Sequence, residues 1–209
     1  MEWKAPAFLF KLLGLETSVL VTAASTKGES TGLVFGVQMI KILLADDHDL
    51  LRKSLCTFLE QANDIQVVAK TSNGEEAVTQ ASLYLPDVAI IDISMPVMDG
   101  IEVTRQIHLY CPSTRVLILS FSDSSENVWR ALEAGALGYV LKDALVVDLL
   151  PAIHALSQGN PFFSHKISGM ANRFLQNNPT ADPLPTAGTL SSSAILQMGP
   201  DDQVNEHLV

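Results

Sequence analysis

The stretch Ile40-Lys41-Ile42-Leu43-Leu44-Ala45-Asp46-Asp47 decides the fold of this chain. Its apolar run is near-continuous rather than alternating, which marks a strand buried on both faces, and such strands build parallel sheets covered by helices on either side. Outward from it the pattern repeats. Leu51, Leu55, Phe58, Leu59 and Ala62 fall on one helical stripe. Ile65–Ala69 reads as a second strand, followed by a helix from Gly74 to Leu83. Pro86 opens a third strand through Val88–Ile91, and Gly100–His108 is predicted helical. Val116–Leu119 and Gly138–Leu141 are the fourth and fifth strands, with a helix over Ser124–Ala134 between them. A last helix is predicted over Val147–Leu156, with Pro151 in its first turn, where a missing N–H has no partner to lose. This alternation gives an α/β sheet whose strands all present their carboxyl ends on one edge, the edge where ligands bind.

The residues that end the strands share a chemistry. Asp46 and Asp47 follow the first strand, Asp92 the third, Ser120 the fourth and Lys142 the fifth. A lone Asp at a strand end is ordinarily a cap or turn residue. A carboxylate pair, a third Asp, a hydroxyl and a lysine on four strand ends together make a site. At about 4 Å and an effective dielectric of about 20, each carboxylate pair costs about 4 kcal/mol, so the cluster binds a proton or holds a cation. Carboxylate oxygens suit Mg²⁺; zinc is disfavoured, because no Cys or His pair has ligand spacing. His48, His108, His154 and His165 are scattered over different elements and are expected in surface or capping roles.

The motifs can now be quoted whole: Ile42-Leu43-Leu44-Ala45-Asp46-Asp47-His48, Asp92-Ile93-Ser94-Met95-Pro96-Val97-Met98-Asp99-Gly100, Leu119-Ser120 and Gly138-Tyr139-Val140-Leu141-Lys142-Asp143. Over residues 39–159 they resemble the receiver domain of bacterial two-component response regulators of the NarL/LuxR type. The resemblance implies a flavodoxin-like (CheY-like) doubly wound sheet of five parallel strands, order 2-1-3-4-5, with helices on both faces. It implies Asp92 as phosphoacceptor, with Mg²⁺ held by Asp46, Asp47, Asp92 and the backbone carbonyl of Ser94. Ser120 and Lys142 would engage the phosphoryl group, and Ser120 and Tyr139 would form the switch, the aromatic turning inward. The implied partner is a sensor histidine kinase. A homodimer would form through the fourth helix, fifth strand and fifth helix, and Trp129 lies on that fourth helix. Two residues depart from the common pattern: Phe121 after Ser120, where a small residue is usual, and Asp143 after Lys142, where proline is common. Such a receiver catalyses its own phosphorylation and dephosphorylation without turning over an external substrate. The competing readings are a phosphorylation-independent scaffold or sequestering receiver and an aspartyl-nucleophile phosphatase. Ser94 stands where the phosphatases commonly carry a second Asp.

The rest of the chain reads differently. Residues 160–176 begin with Pro161-Phe162-Phe163-Ser164 and resemble the linker helix region between receiver and effector of that family. From residue 177 onward there is no Lys or Arg, while prolines and acidic residues accumulate, so 177–209 reads as a disordered tail, the remnant of an output domain. With 13 basic against 23 acidic residues and a net charge of -10, DNA binding by this chain is not expected. Residues 1–38 read as an extension or an early start before Met39, with Ser25–Gly36 a linker. Their apolar runs are broken by Lys11 and Glu16, too early for a signal peptide or a membrane span. Two cysteines, Cys56 and Cys111, make no disulfide framework, which points to the cytoplasm.

Overall fold

A computed structural model describes residues 39–177 and, on either side of a gap, 19–23 and 33–37. The last two segments form an antiparallel hairpin, β1 (Val19–Ala23) and β2 (Leu33–Val37), with Val19 opposite Val37. Leu33–Gly36, expected in a linker, therefore lies in a strand. The rest of residues 1–38 and the tail beyond residue 177 lie outside the described residues.

The main body runs β3 (Ile40–Ala45), α1 (Asp49–Leu59), β4 (Ile65–Thr71), α2 (Gly74–Tyr84), β5 (Val88–Asp92), α3 (Gly100–Tyr110), β6 (Arg115–Ser120), α4 (Ser125–Glu133), β7 (Gly138–Leu141), α5 (Leu145–Ser157), β8 (Phe162–Phe163) and α6 (His165–Asn177). The sheet order is β4-β3-β5-β6-β7-β8 and every pair is parallel. This is the expected 2-1-3-4-5 order with one short strand added at the edge.

Each strand sorts its side chains by the two-residue pleat. Ile42, Leu44, Val88, Ile90, Leu117, Leu119 and Val140 face α1 and α5. Leu43, Ala45, Ala89, Ile91, Val116, Ile118, Tyr139 and Leu141 face α2, α3, α4 and α6. Burying both faces explains why the sequence reads as runs rather than alternations.

Three local features depart from the sequence reading. Residues 160–176 do not leave the domain: Phe162 and Phe163 pair with Gly138 and Tyr139, and Ile167 and Ala171 of α6 are fully buried in the core. Ser164 fastens this addition, accepting the Leu141 N–H at 3.1 Å and donating its own N–H to the Tyr139 carbonyl at 3.0 Å. The helix α5 starts at Leu145, two residues early, which puts Pro151 in its interior. Pro151 is exposed, and on a solvent-facing side water can satisfy the carbonyl that loses its partner. Finally, α1 ends at Leu59, so Ala62 packs from the following turn, its N–H donating to the Leu59 carbonyl at 3.1 Å.

Candidate functional site

The strand order reverses between β3 and β5, which are hydrogen-bonded neighbours with Ala45 paired to Ile91. At such a switch point the connections diverge to opposite faces and leave a crevice at the carboxyl edge. Asp46 and Asp92 stand at the two lips of that crevice, and both are buried. Lys142 arrives from the end of β7, its N–H donating to the Ser120 carbonyl at 2.8 Å.

The carboxylates meet this lysine unequally. Lys142 Nζ donates to Asp46 Oδ2 at 2.8 Å and lies 3.0 Å from Asp92 Oδ2. The second contact is an ion pair without hydrogen-bond direction, and Asp92 Oδ2 has no hydrogen-bond partner. Asp46 is saturated by comparison: its Oδ1 accepts the His48 N–H at 2.8 Å and its backbone carbonyl accepts Arg52 Nη1 at 2.6 Å. Burial pushes the Asp92 carboxyl above its ordinary value; the Lys142 ammonium opposes that shift, the Asp46 charge adds to it, and a hydrogen bond from the Ser94 backbone opposes it.

The loop after Asp92 is held close by glycine. Gly100 begins α3, and a Cβ there would sit 2.1 Å from the Asp92 carbonyl oxygen, so only glycine lets the helix start against the site strand. Asp99 caps that helix, accepting the Glu102 N–H at 2.8 Å. Within the loop, exposed Val97 holds φ at 71°, strained for a β-branched residue.

His48 completes the acidic edge. Its Nδ1 lies 2.7 Å from Asp47 Oδ1, 3.3 Å from Asp46 Oδ1 and 4.0 Å from Asp92 Oδ2. Asp46, Asp47, His48 and Asp92 each offer a ligand atom, all within 4.8 Å of one another. The buried Asp92 carboxylate, two further carboxylates and their hard oxygen donors fit Mg²⁺. Ser94 enters through its backbone at Asp92.

A second polar knot lies beside the first. Ser120 is buried at the end of β6, and its Oγ accepts the Ser122 N–H at 3.0 Å. Tyr139 is fully buried, and its hydroxyl donates to the Ser122 carbonyl at 2.7 Å. Burial pushes the phenol pKa up, so it stays a donor. Phe121 is exposed, and its ring centroid lies 5.3 Å from Lys142 Nζ, within reach of a cation–π contact.

The structure thus gathers Asp46, Asp47, Asp92 and Lys142 in one cluster, where the Ser94 backbone contact is its N–H donating to Asp92 rather than the carbonyl expected as a metal ligand. Ser120 and Tyr139 share the adjoining loop. Two residues escaped the sequence reading. His48 is the N-cap of α1 by backbone, yet its side chain caps nothing and turns to the carboxylates; its place directly after Asp46-Asp47 was the available signal. Arg52 lies on the first turns of α1, where nothing in the pattern marks a helix-face arginine as reaching back to the Asp46 carbonyl.

Residues 42–154 match the family model described as the response regulator receiver domain. The chain is 39% identical over 131 residues to the transcriptional regulatory protein LiaR of Bacillus subtilis, covering 63% of this chain and 62% of LiaR. It is 35% identical over 128 residues to the response regulator protein VraR of Staphylococcus aureus, covering 61% of each. The chain therefore spans less than two thirds of the length of these curated relatives. Among solved structures, a LuxR-family two-component response regulator from Aurantimonas sp. superimposes with a TM-score of 0.62 at 31% identity, covering 65% of this chain and 97% of that one. Among the described residues no helix is long and apolar enough to cross a membrane.

Proposed function

The chain belongs to the response regulator receiver family, and from that premise we propose that it is a phosphorylation-driven switch with Asp92 as its phosphoacceptor. The observation that carries this reading is Asp92 Oδ2: buried, without a hydrogen bond, and 3.0 Å from the Lys142 ammonium. A buried carboxylate oxygen paired with a fixed cation is a nucleophile held in place beside the charge that will follow the phosphoryl group.

In the forward step an Asp92 oxygen attacks the phosphorus of a phosphohistidine on a sensor kinase. The O–P bond forms, the N–P bond breaks, and the electron pair stays on the imidazole nitrogen, which takes a proton. The product is an acyl phosphate. Lys142, held by Asp46, follows the charge as it moves onto the phosphoryl oxygens. Asp46, Asp47, Asp92 and the Ser94 carbonyl would hold Mg²⁺, which when bound supplies charge neutralisation for those oxygens. Water attack on the acyl phosphate later restores the carboxylate and releases phosphate. No external substrate is turned over, since Ser94 offers no second carboxyl as general acid.

The new charge draws the Ser120 hydroxyl, which then gives up the Ser122 N–H. Because the Ser122 carbonyl also holds Tyr139, the loop and the ring readjust together. The surface that responds is α4, β7 and α5, where half-exposed Trp129 stands. It is the face for homodimerisation or for a partner.

The test is intact mass after incubation with Mg²⁺ and a small phosphodonor, beside an Asp92→Asn control. One added phosphoryl group, absent in the control and without Mg²⁺, is expected. Phe121→Ala is run in parallel to remove the ring over Lys142; if both native protein and Phe121→Ala stay unmodified, the phosphorylation reading falls.

A further inference from the structure

The edge of the sheet where the strands begin, opposite the phosphoacceptor, carries a surface that phosphoryl transfer does not use. There α2 and α3 end side by side, ahead of the neighbouring strands β5 and β6. Two contacts hold these ends together: Ser82 Oγ meets Cys111 Sγ at 3.6 Å, and Thr114 Oγ1 donates to the Pro86 carbonyl at 2.8 Å. Around this clasp Leu83, Tyr84, Leu85, Leu109 and Tyr110 are between 45% and 67% exposed. Exposed apolar side chains scattered singly are ordinary, whereas five on two joined helix ends make a patch of the kind that marks docking.

Leu85 adds a second sign. It ends α2 with φ at 44°, the left-handed conformation that helices ordinarily reach with glycine. A leucine held there with most of its side chain in solvent carries backbone strain and gains little packing in return, which is the mark of a residue kept for contact.

The chain supplies an occupant. Residues 1–18 precede the part that matches the receiver family, which begins at residue 42, and they are crowded with Phe8, Leu9, Phe10, Leu12, Leu13 and Leu15. Glu2 and Glu16 balance Lys4 and Lys11, so the acidic body does not repel this segment. The hairpin returns it to the right place. Val19 of β1 faces Val37 of β2, and such Cα partners lie about 5 Å apart, so residue 18 comes back beside the chain just ahead of Met39. There β3 enters, the Lys41 N–H donating to Asp87 Oδ2 at 2.8 Å, and Asp87 stands two residues past Leu85. We propose that the joined ends of α2 and α3 are a docking surface for residues 1–18 of the same chain.

The test uses the full chain. Trp3 and Trp129 are its two tryptophans, so Trp129→Phe leaves Trp3 as the reporter on the docking segment. Blue-shifted emission and slow quenching by acrylamide are expected. Adding Leu85→Asn and Leu109→Ser is expected to shift docking at least about tenfold toward the free form, the worth of one buried leucine, and to bring fast quenching. Asn tolerates the left-handed φ, and both positions are exposed, so the core stays intact. A benzophenone photocrosslinker in place of Tyr110 is expected to capture residues 1–18 within one chain, whatever the protein concentration, as read by peptide mass spectrometry. The proposal falls if the two substitutions leave Trp3 emission and quenching unchanged. It falls equally if the cross-links join two chains, which would make the patch a contact between copies.

Discussion

The two faces of the sheet are built from different material. The face under α1 and α5 is aliphatic: Leu55, Leu59, Leu149, Ile153 and Leu156 close over Ile42, Leu44, Ile90, Leu117 and Leu119. The opposite face is studded with small residues, Ala45, Ala77, Ala81, Ala89, Ala131, Ala136 and Ala171 among them, and carries one large polar ring, Tyr139. Large branched side chains interlock and resist displacement. Small ones let helices approach closely around Tyr139, whose ring is fully buried and whose hydroxyl holds the Ser122 carbonyl. On the proposed switch, the buried side of the first face is a foundation and the second carries the ring that responds, with the polar crevice at the edge between them.

The contrast breaks first if the foundation can be thinned without cost. Leu149 is fully buried on α5. Leu149→Ala is expected to lose about 2–5 kcal/mol by transfer and cavity formation, read by urea unfolding. Phosphorylation, measured well below the melting temperature, is expected to stay near native because the side chains clustered with Leu149 are aliphatic core rather than Asp46, Asp92, Ser120 or Lys142. A variant that kept its stability, or lost phosphorylation while folded, would erase the division of labour.

Gly100→Ala strikes where edge and moving face join. A Cβ would meet the Asp92 carbonyl oxygen at 2.1 Å and the Asp92 carbonyl carbon at 2.8 Å. Backbone, not a flexible tip, has to shift, and an overpacking cost of about 1–3 kcal/mol is expected. Unlike Leu149→Ala, this change should also slow the appearance of the phosphorylated mass, because it moves the strand that carries the nucleophile.

How far the sequence revealed this arrangement depends on how each element advertises itself. The five long strands were legible because burial on both faces leaves runs such as Val88–Ile91 with no polar interruption. The carboxylate cluster was legible because strand ends in a parallel sheet converge by geometry. The edge strand β8 was not, since two residues carry no period, and α6, expected as a linker helix, packs Ile167, Met170, Ala171 and Phe174 on the core. The early start of α5 was hidden because Pro151 suggested a first turn, whereas an exposed proline in a packed helix is tolerated. His48 is exposed at the N-cap position, as its residue type suggested; what only the fold could add is that its ring turns toward Asp47.

A finer probe of the moving face is Tyr139→Phe. It removes one hydrogen bond, to the Ser122 carbonyl at 2.7 Å, and leaves the buried ring in place. A stability loss of about 1 kcal/mol is expected. Phosphoryl uptake should persist, while any phosphorylation-dependent change in Trp129 fluorescence should shrink, since loop and ring are no longer tied. Unchanged fluorescence coupling would move the mechanism elsewhere on this face.

The smallest expected effect concerns the polar edge alone, and its sign depends on pH. In the folded protein burial raises the Asp92 pKa above its ordinary 3.8. Below that ordinary value the group is protonated in folded and unfolded chains alike and contributes nothing. As pH climbs from there through the raised folded value, the unfolded chain gives up its proton first, so the folded state loses stability and does not regain it at higher pH. Asp92→Asn has no proton to lose. Its melting temperature, compared with native protein in chelator, should therefore run level in acid and rise above it toward neutrality, a gap that added Mg²⁺ narrows by binding the native site. A gap that ignored pH, or an Asn variant less stable than native at neutral pH, would mean that Lys142 fully offsets the burial of Asp92. The edge would then be a structural ion pair like any other, and the readiness ascribed to Asp92 Oδ2 would lose its physical basis.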